Sequence, residues 1–123
     1  MKNYQVGIIL LLVLMNSALF AQKPPLLKET EEVMAAAIHE LDISVKSADG
    51  KFNRYIAEKG ITGTFTYNIT LRGKGLVATV FALSDDGGNI KYQNQLKDLI
   101  LSHRFNFRLP KGKLYKFQYT FNL

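Results

Sequence analysis

The chain has 123 residues, 16 Lys and Arg against 10 Asp and Glu for a formal charge of +6, and neither Cys nor Trp. That length holds one small domain rather than two independent cores, and 47% apolar residues suffice to pack it. The lack of Cys excludes a disulfide scaffold, a thiolate zinc site, an iron–sulfur cluster and a Cys nucleophile, while two His leave little for metal ligation or His-based catalysis.

Lys2, the apolar run Val6–Met15 and the more polar stretch Asn16–Ala21 have the layout of a secretory signal peptide cut after Ala21. The competing reading is an uncleaved anchor over Tyr4–Ala21, which is short for a span and contains Gln5, Asn16 and Ser17. Without Cys there is no lipoprotein anchor. The expected address is therefore exported, periplasmic or secreted, with membrane contact only through residues 1–21 where they are retained. The mature part, Gln22–Leu123, divides into a helical N-terminal segment (22–60) and a second segment (61–123). Residues 22–60 carry six basic and seven acidic residues; residues 61–123 carry nine basic and three acidic. The whole positive balance lies in the second segment.

A helix can start at Pro24-Pro25, with Glu29, Glu31 and Glu32 suiting its positive end. Leu27, Met34, Ile38, Leu41 and Val45 form its predicted apolar stripe, Asp49-Gly50 ends the pattern, and Ile43-Ser44-Val45 has some strand character. A short second helix follows, with Phe52, Tyr55 and Ile56 on one face and Gly60 as its C-terminal cap.

From Gly63 the hydrophobic period changes to two. Phe65, Tyr67, Ile69 and Leu71 alternate with Thr64, Thr66, Asn68 and Thr70, which predicts a half-buried strand. Arg72-Gly73-Lys74-Gly75 is a turn, its glycines serving backbone angles rather than phosphate binding, and Leu76–Leu83 completes a hairpin. This second strand is apolar on both faces, with Leu76, Ala78, Val80 and Ala82 set against Val77, Thr79, Phe81 and Leu83. Ser84–Asn89 is a loop in which Asp86 or Asn89 caps the next helix. Tyr92, Leu96, Leu99, Ile100 and His103 share a face of that helix, Phe105 and Phe107 lead out of it, and Pro110-Lys111-Gly112 turns the chain. The last strand sets Tyr115, Phe117, Tyr119 and Phe121 against Lys116, Gln118, Thr120 and Asn122. The expected fold class is α+β: N-terminal helices, then a ββαβ unit forming a three-stranded antiparallel sheet in the order 2-1-3. That order makes the second strand an edge, whose second apolar face is left to the first helix or to another copy of the chain.

Residues 61–123 resemble the C-terminal domain of TonB-type proteins of Gram-negative envelopes. The resemblance rests on Gly63, the run Phe65-Tyr67-Ile69-Leu71, Gly75 before Val77 and a helix over Asn89–Ser102. It continues in Phe105-x-Phe107, Pro110 and a final alternating strand ending in Phe121. It covers about half the chain; the family has Trp where Phe105 stands, and its Pro lies one residue closer to the aromatic pair. The long Pro-rich spacer and the His-containing membrane helix of an energy transducer have no counterpart here, so energy transduction is not expected. The resemblance implies peptide capture by strand addition, with a segment of an outer-membrane receptor pairing along Tyr115–Phe121.

Several residues carry two readings. Lys111, Lys113 and Lys116 suit gatekeepers of an exposed edge, or a surface that steers an acidic peptide or rests on anionic headgroups. Phe117 and Tyr119 suit core packing rather than a base-stacking platform, and no nucleic-acid partner is expected. Asp85-Asp86-Gly87-Gly88-Asn89 is a loop and cap lacking the spaced ligands of a calcium loop. His103 lacks a nucleophile or orienting partner in any motif, and His39 and Asp98 suit solvated helix faces. No catalytic, cofactor or metal site is expected. The leading expectation is an exported, non-enzymatic interaction module binding a peptide along the last strand. The alternatives are a structural homodimer built on strand 76–83, and a small enzyme or enzyme inhibitor, which needs a pocket joining His103 to Asp98 or Tyr92.

Overall fold

The alternation that begins at Thr64 becomes the central strand of the fold. In the computed structural model, which describes residues 23–85 and 89–123, β1 (Thr64–Arg72) pairs antiparallel with β2 (Leu76–Asp85) on one side and β3 (Tyr115–Asn122) on the other. The strand order β2-β1-β3 is the one the sequence predicts. Among the described residues three helices complete the α+β fold: α1 (Thr30–Lys46), α2 (Lys51–Lys59) and α3 (Ile90–Ser102). The expected leader over 1–21 and the loop residues Asp86–Gly88 lie outside the described residues.

All three helices serve one face of the sheet. Phe65, Tyr67, Ile69 and Leu71 of β1 and the four aromatic rings of β3 share one core with Val33, Ala37 and Leu41 of α1 and Leu96, Leu99 and Ile100 of α3. α3 packs on β2, whereas α1 packs on α2 and β3. The first helix therefore does not take up the second face of β2, and Phe81 is 63% and Leu83 49% exposed there. Every core residue among the described residues falls between Val33 and Phe121, within a chain starting at Gln22.

The buried column of α1 shares Leu41 with the predicted stripe and otherwise lies beside it. Val33, Ala37 and Leu41 are fully buried, one turn apart, while Met34, Ile38 and Val45 flank them and are partly covered. The helix also starts later, at Thr30, and stays helical through Ile43-Ser44-Val45. The reason is that Pro24–Leu27 is extended: Arg108 N donates to Pro25 O (2.8 Å) and Leu27 N to Arg108 O (2.9 Å). Those bonds hold the segment against residue 108, and the helix begins after it. α2 matches the sequence reading, with Phe52 buried and Gly60 in the left-handed conformation as its cap. Asn89, rather than Asp86, is the described cap of α3: its side chain accepts from Lys91 N at 2.8 Å.

β2 departs from simple alternation. Thr66 pairs with Ser84 but Tyr67 with Ala82, and Thr70 pairs with Thr79 but Leu71 with Val77, so Leu83 and Ala78 are bulge residues. The bulge at Ala78 changes the phase of the strand. Val77 sits opposite Leu71 and packs on the core with Val80, while Thr79 and Phe81 lie opposite Thr70 and Asn68 on the open face. Val77 is thus not on the face shared by Thr79 and Phe81. The apparent two-faced apolar strand is two half-strands out of phase.

Residues 104–109 form a strap across the end of the sheet. Phe105, Phe107 and Leu109 are buried in alternation, and Phe105 N donates to Gly75 O at 2.8 Å. Gly75 has φ +73°, as its turn requires, and an added Cβ would lie 2.5 Å from the carbonyl oxygens of both Phe105 and Phe107. The glycine thus serves the turn and also the close approach of the strap.

Candidate functional site

The register of β3 fixes which of its backbone groups are free. Gly63 and Leu123 exchange two hydrogen bonds, of 3.2 and 2.9 Å. Doubly bonded pairs recur every two residues, so Phe121, Tyr119, Phe117 and Tyr115 direct their backbone groups at β1. Lys116, Gln118, Thr120 and Asn122 direct theirs outward, where they have no backbone partner among the described residues. Their side chains stand on the open face, where Thr66 and Thr120 share a hydrogen bond of 2.9 Å. Tyr115, Phe117, Tyr119 and Phe121 are all 7% exposed or less, so Phe117 and Tyr119 belong to the core as the sequence indicates.

The opposite edge is different in kind. β2 carries two bulges, and the outer side of its first residue, Leu76, is taken by an antiparallel bridge to Arg104. Bulges and covering segments are the usual devices that spoil an edge for pairing. Among the described residues β3 has neither over its eight residues.

Three tyrosines fix the sheet to its helical layer. Tyr67 donates to Gln93 O, Tyr115 to Lys28 O and Tyr119 to Asp42 Oδ1, each at 2.7 Å. Burial pushes the Tyr67 phenol up; burial, with the hydrogen bond to Asp42 and its charge, does the same for Tyr119. In the unfolded chain both ionise near 10.0. Their stabilising share is complete below that pH and is lost as pH rises, because the unfolded state releases protons the folded state retains. The urea midpoint is expected to fall progressively from about pH 10 upward. The double variant Tyr67→Phe/Tyr119→Phe should be less stable at neutral pH yet show a shallower alkaline fall.

At the end of the sheet where β3 begins lies a cleft of about 790 Å³ between the 72–76 turn and residues 108–114. Five cations line it: Arg72, Lys74, Arg108, Lys111 and Lys113. No Asp or Glu lines it, and none of the five forms an ion pair among the described residues. Leu76, Leu109 and Leu114 supply apolar wall. Arg108 is held in place, its Nε donating to Pro24 O at 3.0 Å, and nearby Arg104 Nε donates to Lys74 O at 3.1 Å. Of the three lysines singled out in the sequence, Lys111 and Lys113 belong to this cleft. Lys116 does not; it faces outward opposite Thr70. Sequence reading missed Arg72, Lys74 and Arg108, although the basic excess of residues 61–123 was the signal.

The other candidates find structural places. His103 has the orienting partner that no motif revealed: its Nε2–H donates to Glu40 Oε2 at 2.8 Å, and Glu40 Oε1 accepts from Asn106 N at 2.8 Å. The imidazole stands edge-on to Phe52 and Phe105. This cluster ties α1 to the strap, and neither Asp98, which is exposed, nor Tyr92 is a hydrogen-bond partner of His103. His39 is exposed. No group of three His, Cys, Asp or Glu suited to a metal occurs among the described residues, and no described helix is long and apolar enough to cross a membrane. No protein-family model, no curated protein and no solved structure matches the chain.

Proposed function

We propose that this chain is an exported, non-enzymatic interaction module that takes an extended segment of a partner protein onto the free edge of β3. One observation carries the reading: Lys116–Asn122 presents outward N–H and C=O groups along a bulge-free edge, while the other edge of the same sheet is interrupted and covered. Added strands gain affinity from those main-chain groups and selectivity from side chains on alternate positions. The resemblance of residues 61–123 to TonB-type C-terminal domains supports the same mode, with a segment of an outer-membrane receptor as the partner. The sequence pattern of residues 1–21 supports export.

Gln118→Pro tests the mechanism at the middle of the edge. The substitution removes an outward N–H and leaves the bonds to β1 intact, a position where an edge strand tolerates Pro. The variant is expected to keep its circular dichroism spectrum and to lose capture of the envelope proteins that the wild-type chain Gln22–Leu123 retains. Capture of the same proteins by both folded baits would sink strand addition. A second reading, a structural homodimer, draws on Phe81 and Leu83, which lie exposed on β2. Sedimentation of the same preparation separates the two: a monomer excludes the dimer, and a dimer lost in Phe81→Ser establishes it.

A further inference from the structure

We infer that the cationic cleft at the start of β3 is a second binding site, and that its ligand is an acidic stretch of polypeptide. The inference rests on the strand-addition reading only in taking the ligand to be polypeptide. Its physical basis is separate. Five like charges converge on one concavity without a lining carboxylate, an arrangement that costs self-repulsion in the free protein and is relieved by a polyanion. The cations come from two stretches more than thirty residues apart in the chain: Arg72 and Lys74 in the hairpin turn, and Arg108, Lys111 and Lys113 between the strap and β3. The fold, not a local charge run, assembles them.

The chemistry of the wall narrows the ligand. Leu76, Leu109 and Leu114 line the cleft beside the cations, which suits a chain carrying carboxylates on an apolar and amide backbone. The volume, about 790 Å³, exceeds what a single small anion fills and lies in the range of sites for larger ligands. No aromatic ring lines the cleft, so it lacks the stacking surface that single-stranded nucleic acid uses. Arg108 is half-buried at the cleft and held by Pro24 O, while Arg72, Lys74, Lys111 and Lys113 are exposed around it, a layout that suits a chain laid into the cleft. Position links the two sites. Leu114 immediately precedes β3, and Leu71 pairs with Tyr115, placing Arg72 next to that end of the strand. A segment laid along the β3 edge and continued past Tyr115 runs toward the cleft. The selected partner would then be an extended strand with Asp or Glu at the end lying over Lys111 and Lys113.

Hexaglutamate, which lacks strand-forming side chains, is the probe for the cleft alone. It is titrated at low salt into isotope-labelled Gln22–Leu123, and backbone amide shifts are followed by NMR. Saturable shifts are expected at residues 72–76 and 108–114, with affinity falling as salt is raised. The double variant Lys111→Ala/Lys113→Ala should weaken binding about tenfold. Lys91→Ala/Lys97→Ala, which removes the same charge from α3, should leave it unchanged. Gln118→Pro should also leave it unchanged, so failure of the cleft and failure of the edge give different results. Shifts spread over all basic residues, equal losses in the two double variants, or no binding at all would overturn the proposal. So would co-sedimentation with phosphatidylglycerol vesicles that depends on Lys111 and Lys113 while hexaglutamate leaves the spectrum unmoved.

Discussion

Gly75→Ala is expected to cost about 3–5 kcal/mol, a large fraction of the roughly 5–15 kcal/mol that holds such a domain folded. Two penalties add. A side chain at φ +73° occupies the left-handed region, at a cost of about 1–3 kcal/mol. The new methyl would also stand 2.5 Å from two backbone oxygens, those of Phe105 and Phe107, and neither can swing away as a side chain would. Relief requires moving the strap, which carries three buried residues, Phe105, Phe107 and Leu109. Overpacking of this kind costs about 1–3 kcal/mol more. Gly60→Ala separates the two penalties, because Gly60 has φ +65° but no atom within 4 Å of the added methyl. Urea unfolding followed by far-ultraviolet circular dichroism, since the chain has no Trp, should place Gly60→Ala near the backbone penalty alone. A Gly75→Ala midpoint equal to that of Gly60→Ala would show that the strap is free to move.

Phe52→Ala should cost a similar amount, about 3–5 kcal/mol, through the cavity it leaves. Phe52 is the one buried residue of α2. Its ring stacks on Phe121 at 5.9 Å between centroids and meets His103 edge-on at 5.4 Å. Truncation therefore opens a void between α2, the last strand and the Glu40–His103 cluster, and nothing rigid can collapse into it. Phe52→Leu, which keeps part of the volume, should cost markedly less. Comparable losses for the two variants in the same urea experiment would show that the ring's stacking, not its volume, carries the stability.

The contrast between well-read and misread elements follows from local physics. β1 and β3 were legible because their outer residues are polar and their inner residues large, so period two survives without ambiguity. Gly60 was legible as a cap because it closes a short periodic stretch. The phase of α1 was not. Val33-Ala37-Leu41 and Met34-Ile38-Val45 are adjacent columns of similar hydropathy. The smaller residue, Ala37, lies in the buried column, where hydropathy alone favours the larger ones. β2 was misphased because bulges at Ala78 and Leu83 leave no mark in composition. The edge position of Tyr115–Phe121 could be read from alternation and the strand order it implies. The cleft could not, since Arg72, Lys74 and Arg108 are scattered in sequence and meet only when the strap crosses the hairpin turn.

The inequality of the two sheet edges also decides how copies of this chain can join. Pairing β3 of one copy to β2 of the next would be head-to-tail, a heterologous repeat that grows into a filament unless its rotation closes it into a ring. The interruptions of β2 and its bridge to Arg104 remove that route. What remains edge to edge is β3 against β3, antiparallel about a two-fold axis. That arrangement consumes both competent edges and presents only interrupted ones at its ends. Edge pairing between copies would therefore stop at two.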